Sequence, residues 1–238
     1  MPVPHNTMPH AASAPVRSGA IAWILAAQFF VTQVVVATAW PRPFSLKDDY
    51  ISDLGNTFCG PYPSGSGHLV CSPWNMAMNV SFMVLGLTMI VGAVRTRGAF
   101  PRGWVRELAV CLFTLAGIGV MVVGFYPENT NNARHVLGAG FNFVAGNIAM
   151  IVFGLALAQR PVHRGLMQFS VAAGVLGLTA TVLFTFGNYL GIGLGGMERV
   201  AAYPMTVWQI VAGAVLLRAW RATAPADTDA AASRRTGS

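Results

Sequence analysis

Six residues able to do acid–base, ion-pairing or amide chemistry stand beside long apolar runs: Asp53, Asn75, Glu128, His135, Glu198 and Arg199. Ionisable groups at or near a membrane span are costly to keep and are functional candidates for that reason. A carboxylate beside an imidazole is a general acid/base arrangement, so Asp53, His135 and Glu198 are the candidate catalytic groups. Arg199 has the planar fork that clamps a phosphate or carboxylate. Asn75, Asn79, Asn142 and Glu128 complete the candidate binding set. Asn79 follows Asn75 by one helical turn, and Asn142 follows His135 by seven residues, about 10 Å deeper on nearly the same face.

Each of these residues also has a structural reading. Asp53 and Arg199 could pair with each other. His135 could be solvated or bonded within the bundle. The asparagines, Asn147 included, could be interhelical glue. Asp48 and Asp49 are expected to be solvated. No metal is assigned. A zinc site would need Asp53, Glu198 or Glu128 beside His135, with an open position for water. No cofactor is assigned either.

The elements that must position these groups are transmembrane helices. The chain has 238 residues, 54% hydrophobic and 10% charged, against roughly 25% charged in a soluble domain. A hydrocarbon core of about 30 Å takes about 20 apolar residues of helix. Six runs qualify: 19–39, 74–94, 108–126, 135–158, 166–187 and 200–217. Lipid offers no partner to bare backbone groups, and the runs are too long and continuous for barrel strands. The fold class is therefore all-α, a polytopic bundle of six transmembrane helices. Residues 18–220 form the membrane domain, with a loop at 41–73. Residues 1–17 and 221–238 lack apolar periodicity and are expected to be disordered tails; His5 and His10 lie in the first of them.

Basic residues set the orientation. With both termini cytoplasmic, 11 of the 15 lysines and arginines fall inside, leaving Arg42, Lys47, Arg134 and Arg199 outside. The net charge of +7 is thus a topology signal in the cell membrane, and no nucleic-acid partner is expected. This orientation brings five helix ends, with the polar set above, to the extracytoplasmic face. Ala37-Thr38-Ala39 resembles a signal-peptidase site, but the apolar run before it exceeds the 7–15 residues of a signal core, so retention is expected. Two of the three cysteines, Cys59 and Cys71, lie in the outer loop. The oxidising compartment and the Gly-, Pro- and Ser-rich stretch between them predict a disulfide. Free thiols, or a metal pair with His68, are the alternatives. Cys111 reads as a small packing residue. Gly187, Gly191 and Gly195 read either as close helix packing or as a closely approached turn.

No phosphate-binding loop, dinucleotide fingerprint, H-E-x-x-H or nucleophile elbow is present. The motifs that do occur are Tyr50-x-Ser52-Asp53-Leu54-Gly55, Ser72-Pro73-Trp74-Asn75, Gly124-Phe125-Tyr126-Pro127-Glu128, His135-x-x-Gly138-Ala139 and Gly196-x-Glu198-Arg199-Val200. In this order they resemble the domain-of-unknown-function 998 family of bacterial and archaeal polytopic membrane proteins, over about residues 18–220. The resemblance implies six helices and marks Asp53, His135, Glu198 and Arg199; it implies no activity. Membrane hydrolases of the alkaline-ceramidase and adiponectin-receptor type are a looser comparison. Their paired histidines in a late helix are missing here.

Three functions follow as expectations. The first is binding or handling of a lipid, or of another small amphipathic or anionic molecule, at the outer face, with membrane lipids as partners. Transport belongs to this class, with Asn142 and Asn147 lining a path. The second is an intramembrane hydrolase or transferase acting on a lipid or lipid-linked substrate. The third is a scaffold whose polar groups only lock helix ends together.

Overall fold

A computed structural model describes residues 14–63, 67–158 and 164–223. The tails beyond them, with His5 and His10, lie outside the described residues. Among the described residues, six helices are long and apolar enough to cross a membrane: α1 (Ala14–Thr38), α2 (Asn75–Ala99), α3 (Trp104–Phe125), α4 (Asn132–Leu157), α5 (Arg164–Thr185) and α6 (Leu194–Ala222). Each packs on its sequence neighbour, and α1 also packs on α6, so the six close into a ring. The protein is a six-helix membrane bundle.

Close approach is set by small residues. A Cβ on Gly86 would lie 2.3 Å from the Gly117 carbonyl oxygen, and one on Gly119 would lie 2.5 Å from that of Gly138. The α2–α3 and α3–α4 contacts therefore depend on bare backbone, as expected where lipid supplies no hydrophobic drive for association. The ring is filled by Trp23, Phe113, Phe153 and Trp208, all buried. Trp23 and Trp208 meet edge to face at 5.1 Å, and Phe153 stacks on Trp208 at 5.2 Å. Trp208 Nε1 donates to Ser170 Oγ at 2.7 Å, which satisfies the one polar atom of that ring.

Several boundaries differ from the sequence reading. α1 begins at Ala14, inside the stretch read as tail, and is interrupted at Ala26 and Ala27. Beside the break, Gln28 Nε2 donates to the Ser81 carbonyl and Ser81 Oγ donates to Gln28 Oε1. α6 begins six residues earlier than predicted, so Glu198 and Arg199 sit within its first two turns instead of before it. Apolar counting missed this start because Gly195, Gly196, Glu198 and Arg199 dilute the run. Gly187 and Gly191 have φ of +70° and +79° and form the α5–α6 turn, whereas Gly195 lies in α6. Cys111 is exposed on α3 and is no packing residue. Pro204 stands inside α6 without ending it.

The loop between α1 and α2 folds back over one end of the ring. It contains a short 3-10 turn, Ser52–Gly55, and an antiparallel hairpin of β1 (Cys59–Tyr62) and β2 (His68–Cys71). Cys59 and Cys71 are register partners with Cα atoms 4.2 Å apart, and they form the expected disulfide.

Candidate functional site

The loop is fastened to the bundle by hydrogen bonds that use most of the sequence-predicted residues. The Lys47 carbonyl accepts the N–H groups of Gly195 and Gly196, two of the unpaired donors at the start of α6. Glu198 Oε2 accepts the Ile51 N–H at 2.5 Å. Arg199 Nη1 donates to the carbonyls of Leu46, Asp49 and Gly195 at 2.8–3.1 Å. On the other side, Ser72 Oγ donates to the Leu54 carbonyl, Asn79 Nδ2 to that of Gly55, and Asn75 Nδ2 to that of Ser72. Asn56 Nδ2 donates to Glu128 Oε1 at 2.8 Å, and Tyr62 Oη donates to the Glu128 carbonyl.

Asp53 and Arg199 do not pair. Asp53 is fully buried, and its Oδ2 accepts the Tyr50 N–H at 2.7 Å and lies 2.8 Å from His68 Nε2. Burial pushes the Asp53 carboxyl up to about 7, and nearby Glu128 adds to the rise, while the His68 and Tyr50 hydrogen bonds pull it back. Asp49, expected in solvent, is 1% exposed. It accepts two hydrogen bonds from Arg42, at 2.9 and 2.5 Å, and one from the Ser45 N–H at 2.7 Å. That fork-on-fork geometry explains why a carboxylate can be buried here. Asp48 is exposed, as expected.

Glu128, His135 and Glu198 converge on a cleft of about 540 Å³, together with Ser52, Tyr62 and His68. The cleft exists because α4 and α5 diverge. The second half of α4, Asn147–Leu157, packs along α5, whereas its first half, Asn132–Gly140, turns away and packs on α3. A wide π-type turn, Phe141–Gly146, joins the halves. Such turns inside α-helices are frequent at functional sites. Asn147 anchors the lower half by donating to the carbonyls of Phe143 and Ala201. Of the lining, Val136, Gly140 and Val144 on α4 and Thr185 on α5 are exposed and form a mostly apolar mouth, with Phe184 half-buried beside them and Thr181 buried.

Behind the cleft lies a smaller cavity of about 40 Å³, whose lining includes Asn142, His135, Glu198, Phe29 and Thr206. Asn142 Oδ1 is buried there without a hydrogen-bond partner. His135 Nδ1 lies 2.9 Å from the Tyr126 carbonyl oxygen. A carbonyl only accepts, so Nδ1 carries a hydrogen, and in a neutral ring Nε2 is then the acceptor nitrogen. Toward the opposite end the aromatic cluster of Trp23, Phe113, Phe153 and Trp208 fills the ring.

Glu128, His135, Glu198 and Asn142 thus line the cavities, and Asp53 sits behind His68. Asn75 and Asn79 hold the loop to α2 and line neither space. Arg199 faces carbonyls and does not line the cleft, so its charged side is acidic, with two carboxylates and two imidazoles. Sequence reasoning did not single out Arg42, Asn56 or Tyr62, placed Asp49 in solvent, and met His68 only as a partner for cysteine. The Cys59–Cys71 pair was the usable signal, because it ties the strand 59–62 to the strand 68–71 that carries His68.

A search of curated proteins and a search of solved structures each gave no match. A match to the family described as "Protein of unknown function (DUF998)" covers residues 24–215, most of the chain and all five motifs. The chain is a multi-pass membrane protein that belongs to this family.

Proposed function

We propose that the protein binds an amphipathic molecule in the α4–α5 cleft, with the polar head against Glu128, His135 and Glu198 and the apolar part leaving between Val136, Val144 and Phe184. The carrying observation is a cleft with a charged wall and a mostly apolar mouth that opens between two adjacent helices of the ring. A site with a few placed polar groups on an apolar lining is the usual form of a small-molecule site. The acidic lining favours a head rich in hydroxyl or amino donors over a phosphate. The aromatic plug favours binding over passage through the ring. A photoactivatable lipid with a hydroxylated or amino head is expected to crosslink to 132–144 and 181–185. Crosslinks spread evenly over all six helices would refute the reading.

The cleft is assigned to the extracytoplasmic side of the cell membrane, with both termini cytoplasmic. The basic-residue bias and the Cys59–Cys71 disulfide support this. A cysteine placed at exposed Asp48 should react with a membrane-impermeant maleimide in intact cells. Labelling only after lysis would reverse the orientation.

A second reading, an intramembrane hydrolase or transferase acting on the same molecule, rests on His135 and Glu198 lining both cavities. The acceptor Nε2 of His135 would take a proton from an attacking hydroxyl or water, and a Glu198 carboxyl would return one. On this reading His135→Ala abolishes turnover while crosslinking persists. Turnover unchanged in that variant would remove His135 from the chemistry.

A further inference from the structure

Four buried carboxylates lie at the hairpin end: Asp49, Asp53, Glu128 and Glu198. Their cationic partners are uneven. Arg42 holds Asp49. Glu198 takes a backbone N–H and Glu128 takes an amide. Asp53 has only the imidazole of His68 and one backbone N–H, and its Oδ1 is buried with no hydrogen-bond donor. A buried carboxylate oxygen left bare is costly, and a bound cation is one way to satisfy it.

The measured spacings run from the other Asp53 oxygen, Oδ2, which a cation would take over from the His68 hydrogen bond. One ligand atom each from Asp49, Asp53 and His68 lies within 4.8 Å of the other two. His68 Nε2 is 2.8 Å from Asp53 Oδ2 and 3.7 Å from Asp49 Oδ1. Zinc–nitrogen and zinc–oxygen bonds of about 2.0–2.2 Å in a tetrahedron separate neighbouring ligand atoms by about 3.3–3.6 Å. The two observed distances bracket that separation. The third pair, Asp49 with Asp53, lies within 4.8 Å, and the His68 side chain is 32% exposed, which leaves an approach from outside.

We propose that Asp49, Asp53 and His68 form a binding site for a divalent cation, zinc by the chemistry of its ligands. Imidazole with carboxylates suits zinc better than magnesium or calcium, which take oxygen ligands throughout. Three protein ligands leave a fourth position for water. Arg42 holds both oxygens of Asp49 and so fixes the carboxylate's orientation, as outer partners of metal ligands do. The hairpin supplies His68, and the disulfide between Cys59 and Cys71 fixes the strand that carries it. Because His68 also lines the cleft, the open position would face the polar head of a bound molecule. The site itself does not depend on that molecule, and its test is separate from crosslinking.

The test uses the full chain in detergent, stripped with a chelator and then dialysed against zinc chloride. His5→Ala and His10→Ala are introduced throughout, so that the tail adds no background. The expected result is one zinc per chain by elemental analysis and a higher melting temperature with zinc than without. His68→Ala and Asp53→Asn should each weaken binding about tenfold or more and remove the melting shift. Cobalt in place of zinc should give the visible absorption of a four-coordinate site in the parent and not in His68→Ala. Parent chain that retains no zinc, or His68→Ala that binds zinc as the parent does, overturns the site. A His68→Ala chain whose metal-free melting matches that of the parent excludes misfolding as the cause of lost binding.

Discussion

Glu198, in the second turn of α6, accepts the backbone N–H of Ile51, 147 residues earlier in the chain. One carboxylate thus ties the α1–α2 loop to the last helix and also forms part of the cleft wall. Position and chemistry are coupled at this residue, because the loop bond settles where its carboxylate sits.

Glu198→Ala should therefore destabilise the bundle, since it leaves the Ile51 N–H buried and unpaired. The expected cost is about 1–3 kcal/mol, read as a lower melting temperature in detergent. Glu198→Gln keeps an acceptor oxygen and should recover most of that loss. Equal losses in both variants would show that the charge, and not the hydrogen bond, holds the loop.

Gly119 and Gly140 give opposite expectations for the same substitution. Gly119→Ala places a Cβ 2.5 Å from the Gly138 carbonyl oxygen, while Gly140→Ala has no heavy atom within 4 Å. Gly119→Ala should cost about 1–3 kcal/mol through overpacking. Gly140→Ala should melt at or above the parent temperature, because alanine is the better helix former. The comparison tests whether α3 and α4 touch while the upper part of α4 stands clear of α5.

The thiols give a direct count. Of the three cysteines, Cys111 alone is free. Denaturing alkylation should add one label without reductant and three after reduction. The double variant Cys59→Ser with Cys71→Ser should lose about 2–4 kcal/mol, since nothing else covalently closes the hairpin. Three labels before reduction would show an open loop.

Reading the sequence alone found the bundle and missed much of the cap. The six spans were legible because a helix must stay apolar for about 20 residues to cross lipid, and that constraint leaves no periodicity to interpret. That Glu128, His135 and Glu198 meet at one end followed from counting spans. Their shared cleft did not, because the divergence of α4 from α5 arises at Phe141–Gly146, a stretch with no proline and an unbroken helical pattern. The pause in α1 at Ala26 and Ala27 likewise has neither proline nor glycine to announce it. Asp49 and His68 lie in a loop whose contacts span sequence separations that no local rule reads. Arg42 buries Asp49 from seven residues away, and His68 reaches Asp53 across 15.

The cleft itself is tested most directly by native mass spectrometry of the protein extracted with its own lipids. The parent chain should carry one bound amphipathic molecule. Gly140→Trp, which fills the mouth from a position with open space around its Cβ, should lose that molecule with no fall in melting temperature. A parent chain without the adduct, or a Gly140→Trp chain that carries it undiminished, would contradict binding in the α4–α5 cleft.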